Sequence, residues 1–448
     1  LGLVLVNDLV ELVPRDFVVE RLRRLNWHRM GIWAFGLVFV GYMVVVPTAG
    51  WVMERMYPPK IVTIHEDMPL GEQMRLRSME AMTAMFFFSV GAAIGSFLNV
   101  VAYRLPQGES VVFRASSCPR CDTKIEGRDN VPILGWLWLR GRCRACQSPI
   151  SPRYPIVESV CAALFLLLYF VELISGGANI PIRKPNFYHG VVWIIFYTKW
   201  DVVGLYLYHC FVICSLLSCV LIDIDRERVP LRAKWIVGAA LLIPALIWPD
   251  LLPVPWLVNA PDWLDSPHIM VSINCLLGGL AGFVLGWLTQ RIVDSSNKSA
   301  EPVEGRGRMA GCLAVVGMAL GWQASVAVLL CTLVILLIAA SIAFWQKISL
   351  PRLPAVLMTA FVLHHVFWRW TTEHWSTWWP CHRTSASGWI AIAGGLVVLL
   401  LANRLLIRKV HDQLANQFDK LDADAYSRPM DITPTLGFAS EQKDTHFE

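Results

Sequence analysis

The chain has 448 residues, of which 55% are hydrophobic and only 16% charged, with a mean hydropathy of +0.50. An average soluble chain carries roughly a quarter charged residues, so this balance excludes an ordinary soluble multidomain protein. The net charge of +5 is small, and its cations gather at the ends of apolar runs. That pattern argues for a lipid bilayer and against a nucleic-acid partner.

In chain order, residues 1–6 form an apolar run too short for a signal-peptide core, and residues 1–30 read as a cytoplasmic lead-in. A membrane span needs about 20 mainly apolar residues. Segments of that kind are expected at about 31–53, 81–103, 155–174, 202–222, 235–253, 268–290, 324–345 and 388–406, with shorter ones at about 307–322 and 353–369. The fold expected is an all-α polytopic membrane helix bundle of about ten transmembrane helices. Many of the 20 Trp lie near the ends of these segments, where an amphipathic ring suits the headgroup level.

Orientation follows from Arg and Lys. The 104–153 loop carries nine of them (Arg104, Arg114, Arg120, Lys124, Arg128, Arg140, Arg142, Arg144 and Arg153), and is placed in the cytoplasm. Alternation then puts Arg226, Arg228, Arg232 and Lys234 inside, as it does Arg291, Lys298, Arg306, Arg308 and the tail beyond Arg408. Residues 254–267, with Asp262 and Asp265 but no Arg or Lys, fall outside. The tail 410–448 is polar without an apolar period and reads as irregular chain. No internal repeat stands out.

The sharpest local pattern is Cys118-Pro-Arg-Cys121, then 21 residues, then Cys143-Arg-Ala-Cys146. Two Cys-x-x-Cys turns, each offering two thiolates, suit a tetrahedral zinc ion, and four protein ligands close the site to substrate. The module is therefore expected to be structural, and the surrounding Arg and Lys favour deprotonated sulfur. The other eight cysteines lie in or beside apolar spans and read as small hydrophobes.

The residues around these turns resemble the type IV prepilin leader peptidase / N-methyltransferase family. Gly95-Ser-Phe-Leu-Asn99-Val-Val-Ala-Tyr103-Arg104-Leu-Pro106 is similar to that family's opening signature. Asn130-Val-Pro-Ile-Leu-Gly-Trp136 continues between the knuckles, and Ile150-Ser-Pro-Arg-Tyr154-Pro155-Ile-Val-Glu158 follows them in register. The likeness spans about 65 residues. Apart from it, Gly91, Gly95 and Ser96 give their helix a small face for close packing. Glu158, an acid just inside a span, reads equally as a functional group and as a structural one.

The resemblance implies a membrane aspartic endopeptidase of the bacterial inner membrane, removing leaders from pilin-like or pseudopilin precursors at the cytoplasmic face. It also implies N-methylation of the new N-terminus from S-adenosylmethionine, although no glycine-rich strand–turn–helix is visible for that cofactor. The family's first aspartate maps to Asp223 in Leu221-Ile222-Asp223-Ile-Asp225, with Asp225 as its neighbour; without the family, these are an acidic pair ending a helix. Two carboxylates are required because one takes a proton from water while the other, kept protonated, polarises the scissile carbonyl. The second belongs in a Gly-Asp motif ahead of Gly317-Met-Ala-Leu-Gly321-Trp322-Gln323, but counting back lands on Arg308-Met309. Met309 thus occupies the second-aspartate position, and Glu304 and Asp294 are the nearest carboxylates that could substitute.

Three readings follow: a divergent prepilin peptidase, a catalytically inactive relative that binds pilin-like or secretion-system membrane helices, and methyl transfer without proteolysis. The domain plan has an N-terminal extension with one extra helix (1–80), then a prepilin-peptidase-like region with the zinc loop (81–154). An aspartic-peptidase-like membrane domain (155–345), additional helices (346–409) and a polar cytoplasmic tail (410–448) complete it. His364 and His365 are adjacent, point about 100° apart on a helix, and so are not expected to share a metal. Trp378, Trp379, Cys381 and His382 read as an outside interfacial belt.

Overall fold

The computed structural model describes residues 41–45, 48, 69–112, 116–181, 183, 190–252, 254, 266–294 and 308–427. Among them there is no strand, and nine long helices account for most of the chain: α1 (Leu70–Gln107), α2 (Arg153–Leu168), α3 (Trp200–Ile224), α4 (Leu231–Ile247), α5 (Pro267–Asp294), α6 (Arg308–Leu320), α7 (Trp322–Gln346), α8 (Leu353–His374) and α9 (Ala386–Ser427). Each sits on an apolar segment expected from the sequence. The segment at 31–53 lies outside the described residues except at 41–45 and 48, and the extra N-terminal span is therefore not on view.

Among the described residues, six helices are long and apolar enough to cross a bilayer: α1, α2 with its extension to Ile174, α3, α5, α7 and α9. The expected count of ten spans is not reached among the described residues. Helix α6 has 13 residues, about 20 Å at ~1.5 Å per residue, against a hydrocarbon core of about 30 Å. Helix α8 is long enough, but its polar run His364, His365, Arg369, Thr371, Thr372 and Glu373 lowers its apolarity. The tail is also corrected, since α9 continues through residue 410 to Ser427. Its polar stretch has no apolar period to signal a core face, and it extends a helix already nucleated in the apolar segment.

Helix α3 is the central element, packed against α1, α2, α6 and α8. Close approach is set by small residues. A Cβ on Gly91 would stand 2.8 Å from Ala162 Cα, and one on Gly95 2.8 Å from Glu158 Cα, so α1 and α2 touch through the small face expected for them. A second such seam is Gly278, Gly282 and Gly286 of α5 laid antiparallel on α6, against the backbone of Gly317, Leu313 and Met309-Ala310. Large apolar side chains such as Leu280, Phe283, Val397 and Leu401 are exposed on α5 and α9, as a lipid-facing surface requires.

Gly321 (φ 91) reverses the chain between α6 and α7, bringing Ser325 Oγ within 2.6 Å of where a Gly317 Cβ would lie. The C-terminal end of α3 and the N-terminal ends of α2, α6 and α8 consequently meet at one end of the bundle. That is also the end to which the cysteine loop is tied.

Candidate functional site

Two knuckles of matching construction carry the four cysteines. In the first, Cys118 N donates to Thr123 O (3.0 Å) and Asp122 N to Cys118 O (2.9 Å), with Asp122 at φ 50. In the second, Cys143 N donates to Ser148 O (2.9 Å) and Gln147 N to Cys143 O (3.0 Å), with Gln147 at φ 57. Each turn is closed by a bridge, Ser117 with Lys124 and Arg142 with Pro149. The four sulfurs lie within 4.8 Å of one another, with Cys118 and Cys146 at 3.8 Å and Cys121 and Cys143 at 4.0 Å. A tetrahedral ion with metal–sulfur bonds of about 2.3 Å needs sulfur–sulfur edges of about 3.8 Å. The donor set therefore fits a metal. Backbone N–H groups of Arg120 and Cys121 point at Cys118 and lower its thiol to about 6, so the thiolate is ready at neutral pH.

The loop between the knuckles is pinned to the helices. Ile133 sits in a γ-turn with φ 63 and ψ −55, closed by Leu134 N to Pro132 O at 2.6 Å. Its own N–H donates to Glu158 Oε2 at 2.6 Å. Glu158 is buried, and its carboxylate secures a strained β-branched residue, which favours the structural reading of this acid. Trp136 Nε1 donates to Ile150 O (3.1 Å), and Arg144 Nε to Asp129 Oδ2 (2.7 Å). Arg144 holds the Asp129 carboxyl below its usual range.

Asp223 is buried in the last turn of α3. Its Oδ1 is ion-paired with Arg308, the first residue of α6, whose Nη2 also donates to Glu227 O at 2.6 Å. Arg352, just ahead of α8, reaches Asp223 Oδ2 at 3.5 Å and donates to the Asp223 carbonyl at 2.9 Å. Asp225 turns away, paired with Arg153 at the start of α2, with Nη2 to Oδ2 at 2.8 Å. Helix α3 ends in a left-handed residue, Arg226 (φ 58), so that Arg226 N bonds Asp223 O (3.0 Å) and Glu227 N bonds Ile222 O (3.0 Å).

The residues expected to form a dyad are thus distributed as follows. Asp223 lies against two guanidinium groups, and no second carboxylate meets it among the described residues. Met309 is buried, its N–H donating to Gln290 Oε1 at 3.2 Å. Asp294 ends α5, and Glu304 lies outside the described residues. Sequence reasoning identifies Arg308 as an occupant of the wrong place, but not as the counter-ion of Asp223; it passes over Arg352 entirely. It also misses a buried group, Glu172 with His209 and His365, although Glu172 stands visibly as an acid inside an apolar run.

Residues 89–171 match the model of the bacterial Peptidase A24 N-terminal domain. A prepilin leader peptidase/N-methyltransferase of Klebsiella pneumoniae is 51% identical over 88 residues, covering 18% of this chain and 39% of that protein. One of Myxococcus xanthus is 50% identical over 82 residues, covering 18% and 24%. A longer match, to the enzyme of the same name from Pectobacterium carotovorum, is 28% identical over 257 residues, covering 52% and 74%. The chain thus spans 39% and 24% of the first two relatives. No solved structure matches it.

Proposed function

We propose that the chain is a member of the prepilin leader peptidase family, which its match to the A24 N-terminal domain supports, and that it processes pilin-like precursors as a membrane aspartic endopeptidase. The domain match over residues 89–171 carries this reading. It is supported by the cysteine loop, which Arg153 ties to Asp225 beside the buried Asp223. In this reading the loop end of the bundle is cytoplasmic, in a bacterial inner membrane. The loop holds zinc, whose bound form supplies a closed structural cross-link between Cys118, Cys121, Cys143 and Cys146.

Asp223 supplies one carboxylate, presented from a helix end held by Arg226 and Arg352. Arg308 opposes it, and the second carboxylate comes from Glu304, on the connection between α5 and α6, or from Asp294, the last residue of α5. As that carboxylate approaches, the Arg308 pairing opens and the two acids share one proton. The ionised partner then takes a proton from water, while the protonated one donates a hydrogen bond to the scissile carbonyl. No strand occurs among the described residues, so there is no strand–turn–helix cradle for S-adenosylmethionine among them.

One observation favours a second reading. The ion pair between Arg308 and Asp223 saturates the carboxylate a peptidase would use, as in a non-catalytic protein that binds pilin-like helices. The two readings separate on cleavage of a pilin-like precursor by the full chain in membranes. The peptidase reading expects cleavage, lost in Asp223→Asn and in either Glu304→Gln or Asp294→Asn. Absence of cleavage across several precursors, with precursor still cross-linking to the chain, would replace it by the binding reading.

A further inference from the structure

A polar cluster sits inside the bundle far from the Asp223 end. Glu172, His209 and His365 come from three separate helical segments and are between 0% and 1% exposed. From His209 to Asp223 is fourteen residues of α3, about 21 Å at ~1.5 Å per residue, so the cluster belongs neither to that site nor to the cysteine loop. His209 Nδ1 lies 2.6 Å and His365 Nε2 2.5 Å from the same oxygen, Glu172 Oε1. Glu172 lies in a π-helical stretch, Tyr169–Ile174, that follows α2. Such local widening is frequent at functional sites.

Hydrogen bonding leaves this group incomplete. Glu172 Oε2, His209 Nε2, His365 Nδ1 and the neighbouring Asn179 Oδ1 are all buried and have no hydrogen-bond partner among the described residues. Asn179 itself is held on the cluster, its Nδ2 standing 3.4 Å from His365 Nε2 and donating to His365 O at 3.1 Å. A carboxylate in an apolar interior is costly unless a cation meets it, and no Arg or Lys side chain is paired with Glu172 among the described residues. The nearest cation on α8, Arg369, spends its donors on the carbonyls of Ile180 and Arg183 and faces Glu373 at 3.8 Å.

We propose that Glu172, His209 and His365 form a second, intramembrane site for a divalent first-row transition-metal ion such as zinc. Two imidazole nitrogens and a carboxylate are a donor set that such ions take, with positions to spare. The three ligand atoms already lie within 4.8 Å of one another. Metal–ligand bonds of about 2.0–2.1 Å require tetrahedral edges of about 3.3 Å, so the triad opens by less than ~1 Å to admit the ion. The divalent charge offsets the carboxylate, and Glu172 Oε2 and Asn179 Oδ1 are the oxygens placed to add to the coordination. Adjacent His364 takes no part: it stacks on Trp379 at a centroid distance of 6.3 Å.

The test is metal stoichiometry of the full chain in detergent, stripped with chelator and reloaded with Zn²⁺. Two zinc ions per chain are expected, falling to one in Cys118→Ser/Cys121→Ser and to one in His209→Asn/His365→Asn, with His364→Asn retaining two. Loaded with Co²⁺, the Cys118→Ser/Cys121→Ser variant should show weak visible bands without thiolate charge transfer, and adding His365→Asn should remove them. The unaltered protein decides the matter without any variant. One zinc per chain in it, or a second zinc that survives His209→Asn/His365→Asn, would overturn the site and leave the triad a hydrogen-bonded cluster only.

Discussion

Replacing Arg308 by Met tests whether the guanidinium opposite Asp223 is bound to it energetically or only lies nearby. The pair is largely shielded, with 13% of the Arg308 side chain and 10% of the Asp223 side chain exposed. Removing one member of a fully buried pair costs about 3–5 kcal/mol, because the other charge is left behind. Here Arg352 remains 3.5 Å from the carboxylate, so Arg308→Met is expected to cost about 2–3 kcal/mol. Asp223→Asn should cost less, about 1–2 kcal/mol, since Arg308 keeps its bond to Glu227 O at 2.6 Å. The double variant should then fall short of the sum by a coupling of about 1–2 kcal/mol. Unfolding of the four proteins in mixed micelles by sodium dodecyl sulfate titration gives that coupling directly. Additivity within about 0.5 kcal/mol would refute a specific pair. The second-carboxylate proposal would then lose its main obstacle, because nothing would need to be displaced from Asp223.

The remaining expectations concern packing and the cysteine loop. Gly282→Val should disrupt the α5–α6 seam, because even a Cβ there collides with the Leu313 carbonyl. The overpacking cost is about 1–3 kcal/mol or more, and unchanged unfolding would show that the seam is looser than described. Glu158→Leu should free the Ile133 turn at a cost of about 1–3 kcal/mol and expose the 116–150 loop to protease, whereas Glu158→Gln should retain most protection; equal cutting of both would count against the hydrogen bond to Ile133. In metal-free protein the Cys118 thiol, lowered to about 6 by its backbone donors, is protonated below that pH and a thiolate above it. The ultraviolet thiolate signal lost in Cys118→Ser should therefore rise through about pH 6, and a rise only above about pH 8, where an ordinary thiol titrates, would contradict the turn geometry.

How much of this was legible in the sequence depends on range. The cysteine turns were readable because a Cys-x-x-Cys turn is local, and four sulfurs at that spacing have few other uses. The α1–α2 contact was readable for a related reason: Gly91 and Gly95 four residues apart mark one helix face. The comparable face on α5, with Gly278, Gly282 and Gly286, carries the same mark and was open to the same reading. Ten spans are not reached among the described residues because hydropathy registers apolar character, not reach: α6 is apolar and still too short. The helical continuation of α9 to Ser427 was hidden by its polar composition, since a helix that projects beyond the apolar layer has no face to signal.

What no local pattern holds is the pairing of charges across distant segments. Arg308 and Asp223 are 85 residues apart, and Glu172 and His365 are 193 apart. A charge in an apolar bundle must be met by another group, so every acid inside an apolar run poses the question of its partner. Asp223 finds guanidinium groups, Glu158 finds a backbone N–H, and Glu172 finds two imidazoles. These answers differ in what they leave over. A guanidinium neutralises a carboxylate outright, and a single N–H fixes a loop. Two imidazoles converge on one oxygen of Glu172 and leave the other without a hydrogen-bond partner. By that reasoning Asp223 is the acid whose pairing must rearrange before it could serve in the proposed dyad, and Glu172 the one most in need of a cation.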